Sequence, residues 1–209
     1  MPLKVITPLA ACHEIHSPSD FEKVFQVRYL QGLEFLNDKV QKKLQARYKK
    51  ALKKEWITPR QKWLGAYYAP GLEGKIALDL TIRWIDGIIG YGVWTNREIP
   101  PHMYIGEYAG VLRRRRWWGR WDNLYCFDYA IGERRSSSFV IDAQDASNHT
   151  RFMNHSFDPN VEPISVDYRG QIHVIFRTKK KIAAGAQLCY DYGEEYWERR
   201  SKPAFLNLD

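Results

Sequence analysis

Apolar positions follow two regimes, spaced three or four apart early in the chain and packed into short dense runs later. Leu33, Leu36, Val40, Leu44, Tyr48 and Leu52 form one stripe and predict an amphipathic helix. Before it, Ser17-Pro18-Ser19-Asp20-Phe21-Glu22 predicts a helix start, with Ser19 as the cap and Glu22 as the capping-box carboxylate. Beyond Pro59 the pattern changes. Pro70-Gly71 and Glu73-Gly74 mark a boundary, and residues 76–84, 104–112, 125–129, 139–142 and 173–177 predict strands. Many short strands with few helices define a β-rich α+β fold. The implied layout is a basic helical flank over 1–74, a main domain over 75–193 and a closing segment over 194–209.

At 209 residues, 44% hydrophobic and 14% aromatic, the chain can bury a real core and is not of the disordered class. Its formal net charge of +8 favours acidic partners by long-range attraction, although charge alone does not make a nucleic-acid binder. Lys39, Lys42, Lys43, Arg47, Lys49, Lys50, Lys53 and Lys54 crowd the polar side of the predicted helix. They read either as a solvated face or as a docking surface for DNA or a nucleoprotein. Arg113–Arg116 with Trp117, Trp118 and Trp121 reads as a surface hairpin, a protein interface or a nucleic-acid grip. Cys12, Cys126 and Cys189 include no C-x-x-C pair, which argues against a disulfide framework or cysteine-bound zinc and for a reducing compartment. No apolar run reaches the roughly 20 residues of a membrane span. Leu9-Ala10-Ala11-Cys12 imitates a lipoprotein cleavage box, but Pro8 interrupts the short apolar stretch before it, and coincidence is the better reading.

Gly90-Tyr91-Gly92 allows backbone to approach a ligand closely, yet a tight hairpin turn explains it equally well. It lacks the third glycine and the βαβ setting of a dinucleotide fingerprint. In Asn148-His149-Thr150-Arg151-Phe152-Met153-Asn154-His155-Ser156, His155 reads as a base, a metal ligand or a structural histidine. A metal would need more ligands at ligand spacing, and a serine hydrolase would need a nucleophile elbow that is absent. Tyr190 and Tyr192 read as core aromatics or as members of a site.

Taken in order, Gly90-Tyr91-Gly92, Tyr104-Ile105-Gly106-Glu107-Tyr108, Arg151–Ser156 with Pro159-Asn160, and Tyr190-Asp191-Tyr192 resemble the motif set of SET-domain protein lysine methyltransferases. The resemblance implies several short sheets, a pseudoknot-like C-terminal motif and S-adenosyl-L-methionine as cofactor. It implies cofactor contacts from Gly90, Tyr91, Gly92, Arg151, Asn154 and His155, with Asn148 supporting the loop. Tyr192 becomes the catalytic residue, aided by Tyr108 and Tyr190; Tyr108, Tyr125, Phe127 and Tyr190 would line the lysine channel. Tyr190 implies mainly monomethylation.

Many family members carry cysteine where Phe157 stands and pair it with a zinc-binding tail; both are missing here, so no metal is expected. Trp197 then becomes a candidate lid over the adenine, with plain core packing as its alternative. Lys62-Trp63-Leu64-Gly65, the run 111–115 and Tyr196-Trp197 make the chain similar to chlamydial-type bacterial SET proteins, associated with histones and histone-like substrates. The expected partners are a protein with an exposed lysine, DNA through the basic flank, and a second copy of the chain, with no membrane. The expected location is the bacterial cytoplasm or, after secretion, a host nucleus. A basic chromatin-binding module on an idle SET scaffold is the competing reading.

Overall fold

A computed structural model of the chain describes residues 3–115, 123–132 and 138–197. The first part contains β1 (Leu3–Ile6), β2 (Cys12–Ile15), α1 (Pro18–Phe25), β3 (Arg28–Tyr29), β4 (Leu33–Phe35), α2 (Asp38–Lys53), α3 (Pro59–Tyr67) and α4 (Ala69–Leu72). Then follow β5 (Leu80–Asp86), β6 (Gly90–Thr95), β7 (Tyr104–Glu107), β8 (Gly110–Arg114), β9 (Cys126–Asp128), β10 (Phe139–Asp142) and β11 (Ala146–Ser147). A 3-10 turn over His149–Phe152 leads into β12 (Asn154–His155), β13 (Val161–Tyr168), β14 (Gln171–Thr178), β15 (Cys189–Tyr190) and α5 (Glu194–Trp197).

The strands form small separate sheets, ordered β2-β1-β5-β6, β4-β8-β10-β9 and β13-β14-β7, with the pairs β11-β3 and β12-β15. Residues 1–74, expected to be a helical flank, supply four strands as well as helices. β1 lies parallel to β5, β3 to β11 and β4 to β8, so this part is woven into the sheets of the rest. One shared core results. Phe21 of α1, Leu112 of β8, Ile141 of β10 and Phe176 of β14 are all fully buried within it, and each such side chain is worth roughly 2 kcal/mol of apolar burial.

Several expected boundaries move, for identifiable reasons. Ser17, not Ser19, caps α1: its Oγ accepts from the Asp20 amide at 3.2 Å, and the Asp20 carboxylate accepts from the Ser17 amide at 3.0 Å. Pro18 lacks an amide hydrogen and suits the first helical position, so the cap must precede it. Glu22 instead accepts from the Tyr29 amide at 2.9 Å. Asn37 caps α2 through the Val40 amide, so two members of the predicted stripe fall outside the helix, Leu33 in β4 and Leu36 exposed. The expected 104–112 strand is two strands, β7 pairing with β14 and β8 with β10.

β13 is not foreseen by the apolar pattern because Pro163 interrupts it; the proline is tolerated since β13 is an edge strand. Arg169 and Gly170, both at positive φ, make the tight turn that joins it to β14. Near the expected boundary at Pro70-Gly71, α4 is helical, and Gly71 packs against the Tyr104 ring, where an added Cβ would lie 2.6 Å from ring atoms. Arg116, Trp117, Trp118 and Trp121 lie outside the described residues, as does the expected closing segment beyond residue 197.

Candidate active site

Three distant stretches meet around β12. It runs parallel to β15, with Asn154 opposite Cys189 and His155 opposite Tyr190. Asn160 fixes this junction, its Nδ2 donating to the Gln187 carbonyl at 2.7 Å while its Oδ1 accepts from the Cys189 amide at 3.0 Å. β6 joins from the other side: the Leu188 amide donates to the Val93 carbonyl at 2.7 Å, and Asn154 Nδ2 to the Tyr91 carbonyl at 3.2 Å. None of these bonds is local in sequence. Each fixes one motif relative to another.

A cavity of about 1250 Å³ opens against this junction. Gly90, Tyr91, Tyr108, Tyr125, Phe127, Arg151, Asn154, His155, Tyr190, Tyr192 and Trp197 all line it. Gly92, expected among the cofactor contacts, does not. Its Cα faces Gln187 and the Trp94 ring, where an added Cβ would sit 2.6 and 2.8 Å from their atoms, so this glycine lets β6 approach the segment before β15. Gly90, at φ +79°, meets nothing and is required for its backbone conformation. Asn148 braces the turn before Arg151: its Nδ2 donates to the Glu107 carbonyl at 3.0 Å, and its Oδ1 accepts from the Thr150 amide at 2.9 Å.

At one end of the cavity the aromatic side chains cluster. Tyr190 packs against Phe176 and against Tyr192, with ring centroids 4.7 Å away in each case, and Tyr108 lies 5.1 Å from Phe127. The Tyr192 hydroxyl donates to the Met153 carbonyl at 2.9 Å, and that of Tyr108 donates to the Tyr125 carbonyl at 2.7 Å. The Tyr190 hydroxyl makes no hydrogen bond among the described residues. Burial holds all three phenols well above their ordinary pKa of 10.0, so they are neutral donors and acceptors and never phenolates.

His155 is buried, and its Nδ1 accepts from the Tyr192 amide at 3.1 Å, which puts the proton on Nε2. Burial lowers its pKa, while the Asp191 carboxylate, 3.6 Å from Nδ1, pulls the other way. Phe157 and Trp197 both lie edge-on to the imidazole, at 4.5 and 4.9 Å, and Trp197 is parallel to Tyr192 within 10°. Phe157 thus covers His155, in place of the metal-binding cysteine of the resembled pattern. Three buried nitrogens on the cavity wall have no partner among the described residues: Arg151 Nε, His155 Nε2 and Trp197 Nε1. Each is a buried donor without a protein partner among the described residues, in a residue that lines the cavity.

Some of the wall lies beyond the motifs. α1 contributes Val24 and Phe25, with Phe25 against Tyr91 at 5.3 Å and Phe152 at 4.6 Å; its amphipathic pattern was the available signal. Arg151 lies 4.1 Å over the Tyr125 ring, a contact that sequence spacing does not reveal.

A fold of many small sheets, with β12 and β15 paired beside a glycine-bearing β6 and a tyrosine-lined cavity, is that of the SET methyltransferases. The model described as SET domain matches residues 90–193, and the chain carries a SET domain. It is 32% identical to human histone-lysine N-methyltransferase EHMT1 over 119 residues, covering 54% of this chain and 9% of that protein. It is 30% identical to histone-lysine N-methyltransferase Su(var)3-9 of Drosophila pseudoobscura pseudoobscura over 114 residues, or 49% of this chain and 18% of that one. Arabidopsis thaliana SUVH6, solved in complex with SAM, superposes with a TM-score of 0.53 at 33% identity, covering 63% of this chain and 31% of that chain. The chain therefore spans a small part of the curated relatives it matches.

Proposed function

We propose that this protein transfers a methyl group from S-adenosylmethionine to a lysine side chain of another protein. The observation that carries the reading is the junction at Tyr192. A half-buried neutral phenol, tied to Met153, stands beside His155 on the wall of a cavity lined by residues with unpaired donors that suit a polar cofactor. The similarity to two histone-lysine methyltransferases and to a SAM-bound structure supports it. The donor set fits that cofactor. Arg151 offers a cation for its carboxylate, and His155 Nε2 and Trp197 Nε1 offer N–H groups for its adenine nitrogens.

When bound, the cofactor supplies an electrophilic methyl group on a sulfonium. Free lysine, with a pKa near 10.4, is protonated at neutral pH and cannot attack. The aromatic channel of Tyr108, Phe127 and Tyr190 disfavours the ammonium, and neither the phenols nor the engaged His155 Nδ1 serves as base, so water takes that proton. Tyr192, with its hydrogen spent on Met153, presents oxygen lone pairs for weak C–H···O contacts with the methyl group. Catalysis is then mostly positioning and exclusion of water.

We assign histones or bacterial histone-like proteins as substrates, in keeping with the chlamydial-type resemblance of 62–65 and 111–115. DNA is the second partner of the basic N-terminal region. Glu194 on the cavity wall is suited to a cationic substrate, whereas Asp128 there is already paired with Arg115. The uncommitted Tyr190 hydroxyl would hold a water in the channel and keep the product at monomethyl. Incubation with labelled cofactor and purified histones or histone-like proteins, followed by mass spectrometry, tests both points. Label on lysine, single in the native chain and multiple in Tyr190→Phe, is expected. No label on any basic protein would defeat the reading.

A further inference from the structure

Nearly all of the net charge of this protein sits on one helix. Seven lysines and Arg47, set against the single acid Asp38, give residues 38–54 a charge of +7 out of the formal +8, leaving +1 for the remainder. At about 100° per residue, the eight cations fall within an arc of about 160°. The buried side of α2 is Val40, Leu44 and Ala51, and the other exposed flank carries Gln41, Gln45 and Leu52, with no charge at all.

A helix that needed only solvation would spread its charges over both flanks, and it would mix signs to gain i,i+4 pairs. This one does the reverse. Lys39–Lys43, Lys49–Lys53 and Lys50–Lys54 are like-charge i,i+4 pairs, each mildly destabilising. None of the seven lysines joins an ion pair among the described residues; only Arg47 is engaged, 4.8 Å over the Phe139 ring. The arrangement costs helix stability and gains nothing within the chain.

We infer that this face of α2 is a docking ladder for the backbone of double-stranded DNA. Lys39 and Lys54 stand roughly 22 Å apart along the axis, against one phosphate per about 1.7 Å of duplex, so several lysines can reach phosphates together. The apolar side of α2 is already sealed in the core, so the helix has no face to insert into a membrane. No exposed aromatic lies within α2, which disfavours stacking on single strands. The purpose rests on the methylation reading: holding DNA would bring the cavity to basic proteins bound to the same duplex, while leaving the rest of the surface close to neutral. The contact itself does not rest on it.

The test is fluorescence anisotropy of a labelled 20-bp duplex across a salt series, with the full chain. A slope of log Kd on log salt near 4 is expected, as is a loss of about 100-fold or more when Lys42, Lys49, Lys50 and Lys53 become Gln. Changing Lys4, Lys23, Lys62 and Lys179 to Gln removes the same charge elsewhere and should cost less than about tenfold. Tyr192→Phe, expected to be impaired in methyl transfer, should bind DNA like the native chain, which separates this idea from the catalytic one. Equal losses from both quartets, or polyglutamate or anionic vesicles binding as tightly as the duplex, would overturn the assignment.

Discussion

The cavity wall and helix α2 are opposites in construction. The wall is aromatic and buried, and its key contacts join residues far apart in sequence, as with the Tyr192 amide on His155 and Asn154 on the Tyr91 carbonyl. α2 is charged and exposed, and its character repeats along a single turn-by-turn pattern. Inside the wall, neutral groups gain their worth from low dielectric and fixed geometry, so a single atom matters. On α2 the lysines act together through a screened field, so no single one does.

The largest effect that could break this contrast is at Tyr192. Tyr192→Phe removes only the hydroxyl that donates to Met153, and methyl transfer should fall about 100- to 1000-fold with circular dichroism unchanged. Activity within tenfold of native would show that the wall does not depend on single atoms. Asn160→Ala comes next. Asn160 is not on the cavity wall, yet both of its side-chain bonds to the 187–189 segment would go, leaving a part-buried carbonyl and amide unpaired. A loss of about 2 kcal/mol in urea titrations is expected, with turnover falling more than cofactor affinity.

Acid sharpens the comparison further. His149 is held neutral, its pKa lowered to about 4 from 6.5 by burial, against the Ile105 carbonyl that accepts from its Nε2. Because the unfolded chain takes up this proton first, stability is intact above pH 6.5 and declines as pH falls toward 4, by about 2 kcal/mol. Protonation of His155 in the same direction would convert its Nδ1 from acceptor to donor and release the Tyr192 amide, so turnover should fall in acid as well. Full turnover retained where thermal stability has already declined would contradict that role. The smallest effect has the opposite sign. Lys50→Gln relieves repulsion from Arg47, Lys53 and Lys54 and should raise stability by roughly 0.5 kcal/mol while weakening DNA binding. A destabilised variant would mean that Lys50 serves the fold.

The motif-borne part of the wall is legible in the sequence, because its residues come in short motifs whose order is distinctive. Tyr192, His155, Asn154 and Tyr108 are all expected at a site and all line the cavity. Gly92 is the exception, because a glycine admits close approach from either side, and only the structure shows that the approaching partner is Gln187. The helix start moves from Ser19 to Ser17 through a rule about Pro18 that the sequence already contains. β1, β3 and β4 escape detection because short strands carry little periodicity of their own, and each exists by pairing with a strand far along the chain.

By itself, then, the sequence determined the α2 charge pattern, the apolar faces and the motif set, because spacing along a helix and residue chemistry are local properties. Tertiary structure alone decided which phenol donates to which carbonyl, that Phe157 covers His155, and that Arg151, His155 and Trp197, each with an unpaired buried nitrogen, line one cavity. Those facts depend on chain segments meeting at ångström separations, and no local preference encodes a distance between residues that are neighbours only after folding.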